Sequence, residues 1–488
     1  MYTNKLKVAL GTMLSAVSIA SIGSFVVACQ NPTDKWDTTI TINNAWVNDG
    51  FFKNLDYNSG AVTEGEKSKA FIDLLTKRFN EFKNQDEEAK KHKDVKFEIK
   101  VDFDKKGYFS KLEKNDSNND VYITNYSYYL DNVWDASSGS LKKDLPFKLV
   151  SQAATLQFNW QSGDNTFYKD GMKEDSLRKL ADENNKKWLE FGEYPEWYTK
   201  EEKEHNGKKL HFDGSKYTNF YKDGDLTYVY RGAVLIAGNE SERNKIISDW
   251  EKKDWDSFVK NGIVYEKTSS AGGYKYEVAL FARHFGKTVS EIKKDLEGKN
   301  YEHYIVKGKK ASEQLGKKQD GSNQLVPKIG FDDEGAYNWT KSKKDSKKYK
   351  PTGFVPTETA KPAVTRMNGG KAMMVAASSA TSATPAAAAT PGTMKDKNGS
   401  VIRTLTMTNP AGYDVVLARK GLLDKQVELL SKALNSLSLT ENTYGIYTGY
   451  NKFMPLSMNL FEKLVKLQVQ AESTENLVDN IDKIAKQK

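Results

Sequence analysis

Apolar and polar positions alternate in TTITINNAWV at 38–47, a period that predicts a first strand. KSKAFIDLLTKRFNEFKNQ then repeats its apolar residues at helical spacing. VKFEIKVDF alternates again, and NDVYITNYSYYLDNVW reads as a strand running into aromatics. Strand, helix, strand, further elements and strand make the N-terminal third an α/β sheet. LTYVYRGAVLIAGN at 226–239 predicts one long strand. SERNKIISDWEKKDWDSFVKNG predicts a Ser-capped helix stopping at Gly262, and IVYEK a short strand. VPKIGFDDEGAYNW is a strand and turn, and VIRTLTMTNPAGYDVVLARKGL two strands around Asn409-Pro410. DKQVELLSKALNSLS and MNLFEKLVKLQVQAES are helical. Strands at 228–236 and 412–418 flank the central block. They predict a two-lobed binding protein with two crossover strands.

Two stretches lack this pattern. Residues 161–225 mix acidic, basic and aromatic positions with turn signals at KDGM, FDGS and KDGD, and are expected to be an insertion with helices. Residues 341–400 begin with the charge run KSKKDSKKYK. They include AASSATSATPAAAATPG at 376–392, which is too poor in large apolar residues to build a core. A flexible excursion is expected there.

The chain carries a net charge of +9, which raises nucleic acid as a partner. Only eight of its 74 basic residues are Arg, the type suited to bidentate base and phosphate readout. The lysines are interleaved with Asp and Glu, as in KNQDEEAKKHKD, so a solvated surface is expected rather than a nucleic-acid groove. The single cysteine, Cys29, ends a stretch with Lys5 and Lys7 followed by small and apolar residues from Val8 to Ala28. That is the pattern of a signal peptide over 1–28. Val26-Val27-Ala28-Cys29 resembles a bacterial lipobox. Cys29 is expected to carry the lipid, with 29–36 as a tether and the body on the extracytoplasmic face of the cell membrane. One cysteine allows no internal disulfide.

TSSAGGYKYE at 268–277 places hydroxyls and glycines before the amphipathic run YKYEVALFARHF. A helix start of this kind can bind an anion through free backbone N–H groups and hydroxyls. It can equally be an ordinary Ser/Thr cap, and the ten residues alone favour the cap. Elsewhere the sequence offers little reactive chemistry. The five histidines, 92, 205, 211, 284 and 303, lack metal-ligand spacing, and His284 on an apolar helix is expected to be packed. No Walker A loop and no G-x-S-x-G occurs. Asp332, Asp333 and Glu334 could hold a divalent cation beside a pyrophosphate, with Asp333 and Glu334 as weak candidates, but an acidic turn is the commoner meaning. No enzyme and no catalytic cofactor is expected.

Several stretches together resemble a known family. They are WDTTITINNAWVN at 36–48, YRGAVLIAGNESERNKIISDWEKKDWDSF at 230–258, FDDEGAYNWT at 331–340, MTNPAGYDVVLARK at 407–420 and TYGIYTGYNKF at 443–453. In this order, after a lipobox, they are similar to the mycoplasmal extracytoplasmic thiamine-binding lipoproteins, within the phosphonate-binding-protein-like receptors of ABC importers. The resemblance implies an α/β type II periplasmic-binding fold, with two lobes joined by two hinge strands and a ligand in the cleft. The expected boundaries are 37–230 plus 408–488 for the first lobe and 231–407 for the second. It implies thiamine pyrophosphate or thiamine as ligand and a transporter permease as partner of a monomeric receptor. It also places Thr268, Ser269, Ser270, Gly272 and Gly273 where the wider family holds a phosphoryl group, which tips the balance towards the anion pocket. A thiamine-type cation would want aromatic faces or a carboxylate. Trp46, Tyr126, Tyr128, Trp134, Tyr413 and Asp414 follow strands or lie at a crossover, where open α/β lobes bind ligands. Two alternatives stay open: a phosphonate or phosphate-ester receptor of the same fold, and a lysine-rich surface adhesin or antigen.

Overall fold

The alternation near the start of the chain forms the strand Thr39–Asn44, which lies between parallel neighbours Lys96–Val101 and Val121–Thr124. Strand Val415–Arg419 runs antiparallel to Val121–Thr124, and Phe147–Phe158 pairs antiparallel with it in turn. Tyr221–Thr227 and Lys452–Pro455 both pair with Phe147–Phe158, giving seven strands in all. The computed structural model describes residues 35–199, 207–319, 324–340, 343–356 and 399–481. The expected signal stretch, Cys29 and the low-complexity run at 376–392 lie outside the described residues.

Both faces of this sheet are covered, which is why Thr39–Asn44 is buried from Ile40 onward. Helix Glu66–Gln85 turns Phe71, Ile72, Leu75 and Phe79 to one face and packs with helix Asp424–Ser436. Helix Met458–Glu472 covers the other face through Phe461, Leu464 and Val465.

The second sheet repeats the plan. Ile263–Tyr265 lies parallel to Ile305–Lys307 and to Ile329–Asp333. Gly232–Gly238 pairs antiparallel with Ile329–Asp333, and Val401–Met407 pairs antiparallel with Gly232–Gly238. Each sheet thus has three parallel strands followed by one antiparallel strand that arrives directly from a crossing. Val229–Tyr230 and Ala411–Gly412 are the two crossings, and they pair with each other. This is the type II periplasmic-binding arrangement, with two α/β sheets joined by two strands.

The single long strand expected at 226–239 is three pieces, Tyr221–Thr227, Val229–Tyr230 and Gly232–Gly238. An apolar run does not reveal that the chain changes sheets within it. The Thr227 hydroxyl accepts from Val229 N at 3.2 Å and donates to Asp164 Oδ1 at 2.6 Å, which fixes the first break. The stretch 161–225 does contain a helix, Ser176–Leu189. That helix packs on the second sheet, where Leu177, Ala181 and Trp188 join a core with Leu235, Ile402 and Met407. The Thr404 hydroxyl donates to Asn184 Oδ1 at 2.8 Å, and Arg403 grips Glu193 with two bonds of 2.6 and 3.1 Å. Farther along, Ser215 reaches back to the first sheet's side, where its hydroxyl donates to the Ile446 carbonyl.

Candidate functional site

The two sheets present their carboxyl strand ends to a common cleft, a cavity of about 440 Å³. Thr39–Asn44 leads into Ala45 and Trp46, and Val121–Thr124 into Asn125 and Tyr128. Ile329–Asp333 leads into Glu334, Gly335 and Ala336, and all of these line the cavity. The crossings contribute Tyr230, Arg231, Tyr413 and Asp414. Strand ends gather here because a parallel strand's carboxyl end and the loop that follows it are free to vary without disturbing the ladder.

Aromatic rings form much of the lining. Tyr413 sits edge-on to Tyr230 and to Tyr450, at 6.1 and 5.9 Å between ring centroids. Phe158 is stacked between Trp160 and Tyr221, and Trp339 adds an indole. Trp46 is 52% exposed and stands at the mouth.

Carboxyl groups outnumber cations in the lining, with Asp332, Asp333, Glu334 and Asp414 beside Arg231. Asp414 accepts from Asn125 Nδ2 at 3.1 Å and from the Tyr450 hydroxyl at 2.6 Å. Asp332 accepts from the Tyr349 hydroxyl at 2.7 Å, and burial pushes its carboxyl up from the usual range. Glu334 is buried, accepts from Gln161 Nε2 at 2.9 Å and Trp160 Nε1 at 3.4 Å, and is also raised by burial despite nearby Arg231. Arg231 is fully buried and donates from Nη2 to the carbonyls of Asp164 and Thr166 at 3.0 and 3.3 Å. Behind the Tyr221 ring, Lys216 Nζ is buried 4.4 Å from the ring centroid, and burial lowers it to about 8.

The TSSAGGYKYE stretch also reaches the cleft. Ser270, Ala271 and Gly272 line it, whereas Thr268, Ser269 and Gly273 are not among the lining residues. Ser270 Oγ accepts from Gly273 N at 3.2 Å, and Lys275 N donates to the Ser270 carbonyl at 3.1 Å. The second bond spans five residues, so Ala271–Lys275 is one π-helical segment before the α-helix Tyr276–Phe285. Ser270 is therefore a cap and a cleft residue at once. The glycines answer to space rather than to φ. A Cβ on Gly272 would strike the Asp333 carboxylate and come within 3.3 Å of the Tyr230 ring.

The ring candidates divide. Trp46, Tyr128, Tyr413 and Asp414 line the cavity. Tyr126 and Trp134 lie in the hydrophobic core instead. Tyr126 is fully buried against Phe461 with its hydroxyl donating to Gln152 Oε1 at 2.7 Å, and Trp134 starts a short hairpin pair with Leu141. Asp333 and Glu334 both line the cleft, but Glu334 is taken up by Gln161 and Trp160. No group of three or more His, Cys, Asp or Glu able to hold a metal is found among the described residues. His284 is packed as expected, stacked on Trp250 at 3.6 Å with Nε2 2.7 Å from the Trp250 carbonyl. Arg231, Asn125, Phe158 and Tyr230 were not anticipated as lining residues. The one sequence signal for Arg231 is an arginine inside an otherwise apolar strand run.

Residues 69–470 match the family described as CypI, extracytoplasmic thiamine-binding lipoprotein. The chain is similar to the high affinity transport system protein p37 of Mesomycoplasma hyorhinis, 24% identical over 92% of this chain and 97% of that one. It is also similar to p37 of Mycoplasma pneumoniae, 25% identical over 63% of this chain and 67% of that one. The solved structure of Mycoplasma hyorhinis Mh-p37, described as a candidate thiamine pyrophosphate transporter, superposes with a TM-score of 0.66 at 21% identity, over 90% of this chain and all of that one. The match over most of its length makes this chain a member of the extracytoplasmic thiamine-binding lipoprotein family.

Proposed function

We propose that the protein is the lipid-anchored, extracytoplasmic receptor of an ABC importer and takes thiamine or thiamine pyrophosphate into the cleft between its sheets. The carrying observation is the make-up of that cleft: aromatic rings and carboxyls face a cavity of about 440 Å³, with a Ser/Gly turn on one wall. A cationic heteroaromatic ring gains from aromatic faces and from carboxylates such as Asp333 and Asp414. The phosphoryl end of a phosphorylated ligand would lie towards Ser270–Gly272, where hydroxyl and backbone converge. The names of the family and of the p37 relatives point to the same ligand class and to transport rather than catalysis.

The composition of the lining speaks against a small phosphonate as the preferred ligand. Such an anion would meet Asp333 and Asp414 with no apolar ring of its own to place against Tyr413, Phe158 and Trp339. Closure of the two lobes about the crossings would follow from tighter contact with the ligand in the closed form. Receptor purified without denaturation and analysed by native mass spectrometry should carry one thiamine-type molecule. A different small molecule at full occupancy would overturn the assignment.

A further inference from the structure

Glu277 ends the TSSAGGYKYE stretch and is fully buried at the start of helix Tyr276–Phe285. Among the described residues, neither of its carboxyl oxygens accepts a hydrogen bond from another side chain or backbone group. An ionised carboxylate can only accept, and leaving one buried without donors is strongly unfavourable. The charged groups acting on it are the carboxylates of Asp333 and Asp332, on the neighbouring strand, and both oppose ionisation. Strand Gly232–Gly238 and the π-helical segment meet it with glycine backbone. A Cβ on Gly232 would strike Glu277 Oε1 and would come within 2.8 Å of the Gly272 carbonyl oxygen. Two oxygens, one of them an obligate acceptor, thus flank one point on Gly232. A proton on the carboxyl would let it donate to that carbonyl rather than oppose it. Burial, helped by the two aspartates, holds the carboxyl well above its usual range and outweighs the opposing pull of Glu277's own backbone N–H.

We propose that Glu277 stays protonated and donates its hydrogen to the Gly272 carbonyl, so that it positions the turn forming one wall of the ligand cleft. Its importance for ligand rests on the reading of Ser270–Gly272 as part of the binding site. Glu277 is a positioning residue, since it does not itself line the cavity.

The test uses the lipid-free mature chain with Glu277→Gln, which keeps a donor, and Glu277→Leu, which keeps volume and removes it. A carboxyl that is neutral when folded and ionises when unfolded stabilises fully below the unfolded value near 4.5, and this contribution is lost as pH rises towards the folded value. The urea midpoint of the native protein should therefore fall relative to Glu277→Gln between pH 5 and pH 8. Parallel midpoints would overturn the proton, whatever the ligand. In calorimetry with thiamine pyrophosphate, Glu277→Gln should bind within about three-fold of native, and Glu277→Leu about ten-fold more weakly, the loss of one hydrogen bond. A Gln variant as weak as the Leu variant would show that the carboxylate itself is required, and would overturn the proposal. If the native protein binds neither thiamine nor its pyrophosphate, the site reading fails, and the pH comparison still decides the proton.

Discussion

The hydroxyl of Tyr230, on the first crossing, lies 2.7 Å from that of Tyr276, at the start of the helix that follows the π-helical segment. Tyr230 also accepts from Asn125 Nδ2 at 2.8 Å, and Asn125 holds Asp414. Gln468 Nε2 donates to the Tyr276 hydroxyl at 2.9 Å and to Glu472 Oε1 at 2.7 Å. Glu472 pairs with Lys275 at 3.3 Å, and Lys275 donates to Ser127 Oγ at 2.7 Å. Ser127 N donates to Asn125 Oδ1 at 2.9 Å, closing a ring of hydrogen bonds and one ion pair. One network thus ties cleft, crossing and turn together.

Breaking this pair should affect both stability and ligand. Tyr230→Phe removes a hydroxyl with two partners and should lower unfolding stability by about 1 kcal/mol. Because the same group sets the crossing against the turn, thiamine pyrophosphate affinity should fall too. Calorimetry beside urea unfolding reads both, and an unchanged affinity would detach the crossing from the ligand site.

Gly272→Ala places a Cβ against the Asp333 carboxylate and the Tyr230 ring. Ser270→Ala removes the cap on Gly273 N, worth about 1 kcal/mol of stability. If the turn also holds a phosphoryl group, both variants should lose about ten- to a hundred-fold in affinity for thiamine pyrophosphate, the worth of one charge-assisted bond. Free thiamine should lose much less. Equal losses for the two ligands would leave Ser270 as a cap and nothing more.

Arg419 pins the return strand at the far end of the first sheet. Its Nε donates to buried Asp120 Oδ1 at 2.7 Å, its Nη2 pairs with Asp37, and Thr41 N donates to Asp120 Oδ2 at 2.9 Å. Arg419→Met leaves Asp120 buried without its cation and should cost about 3–5 kcal/mol. Urea unfolding measures it, and a loss under 1 kcal/mol would mean the pair is dispensable.

Burial lowers the His284 imidazole to about 4. A histidine that is neutral when folded stabilises fully above the unfolded value near 6.5, and this is lost as pH falls through 4. Acidification from pH 7 to pH 4 should therefore remove about 3 kcal/mol through this residue, because each tenfold difference in proton affinity between the folded and unfolded chain corresponds to about 1.4 kcal/mol. A His284→Gln variant should show a shallower acid limb in its unfolding midpoints, and an identical limb would assign the acid sensitivity elsewhere.

Much of the architecture was legible because period and burial agree. Lys96–Val101 and the amphipathic helix Glu66–Gln85 each show the pattern of the faces they bury, whereas Thr39–Asn44 alternates in sequence but is buried on both faces. The break at Arg231 was not legible, because a strand that changes sheets stays apolar on both sides of the change. Lys452–Pro455 was missed because four residues carry too little alternation to separate from a loop. In the site, strand-end position brings Trp46 and Tyr128 to the cleft, and the crossing brings Tyr413 and Asp414. The same rule could not separate Tyr126 from Tyr128. The two are only two residues apart, at the ends of the short segment Tyr126–Tyr128, and packing against Phe461 decides which faces inward. Glu277 carried no signal, since a glutamate in the first turn of a helix is ordinarily a solvated dipole partner.

The most direct measurement of the central claim is calorimetric titration of the native receptor with thiamine, thiamine pyrophosphate and methylphosphonate under one buffer condition. A cleft built of rings and carboxylates predicts saturable binding of one thiamine-type molecule per chain and no measurable heat from methylphosphonate. Stoichiometric binding of methylphosphonate, with none of either thiamine compound, would contradict the account.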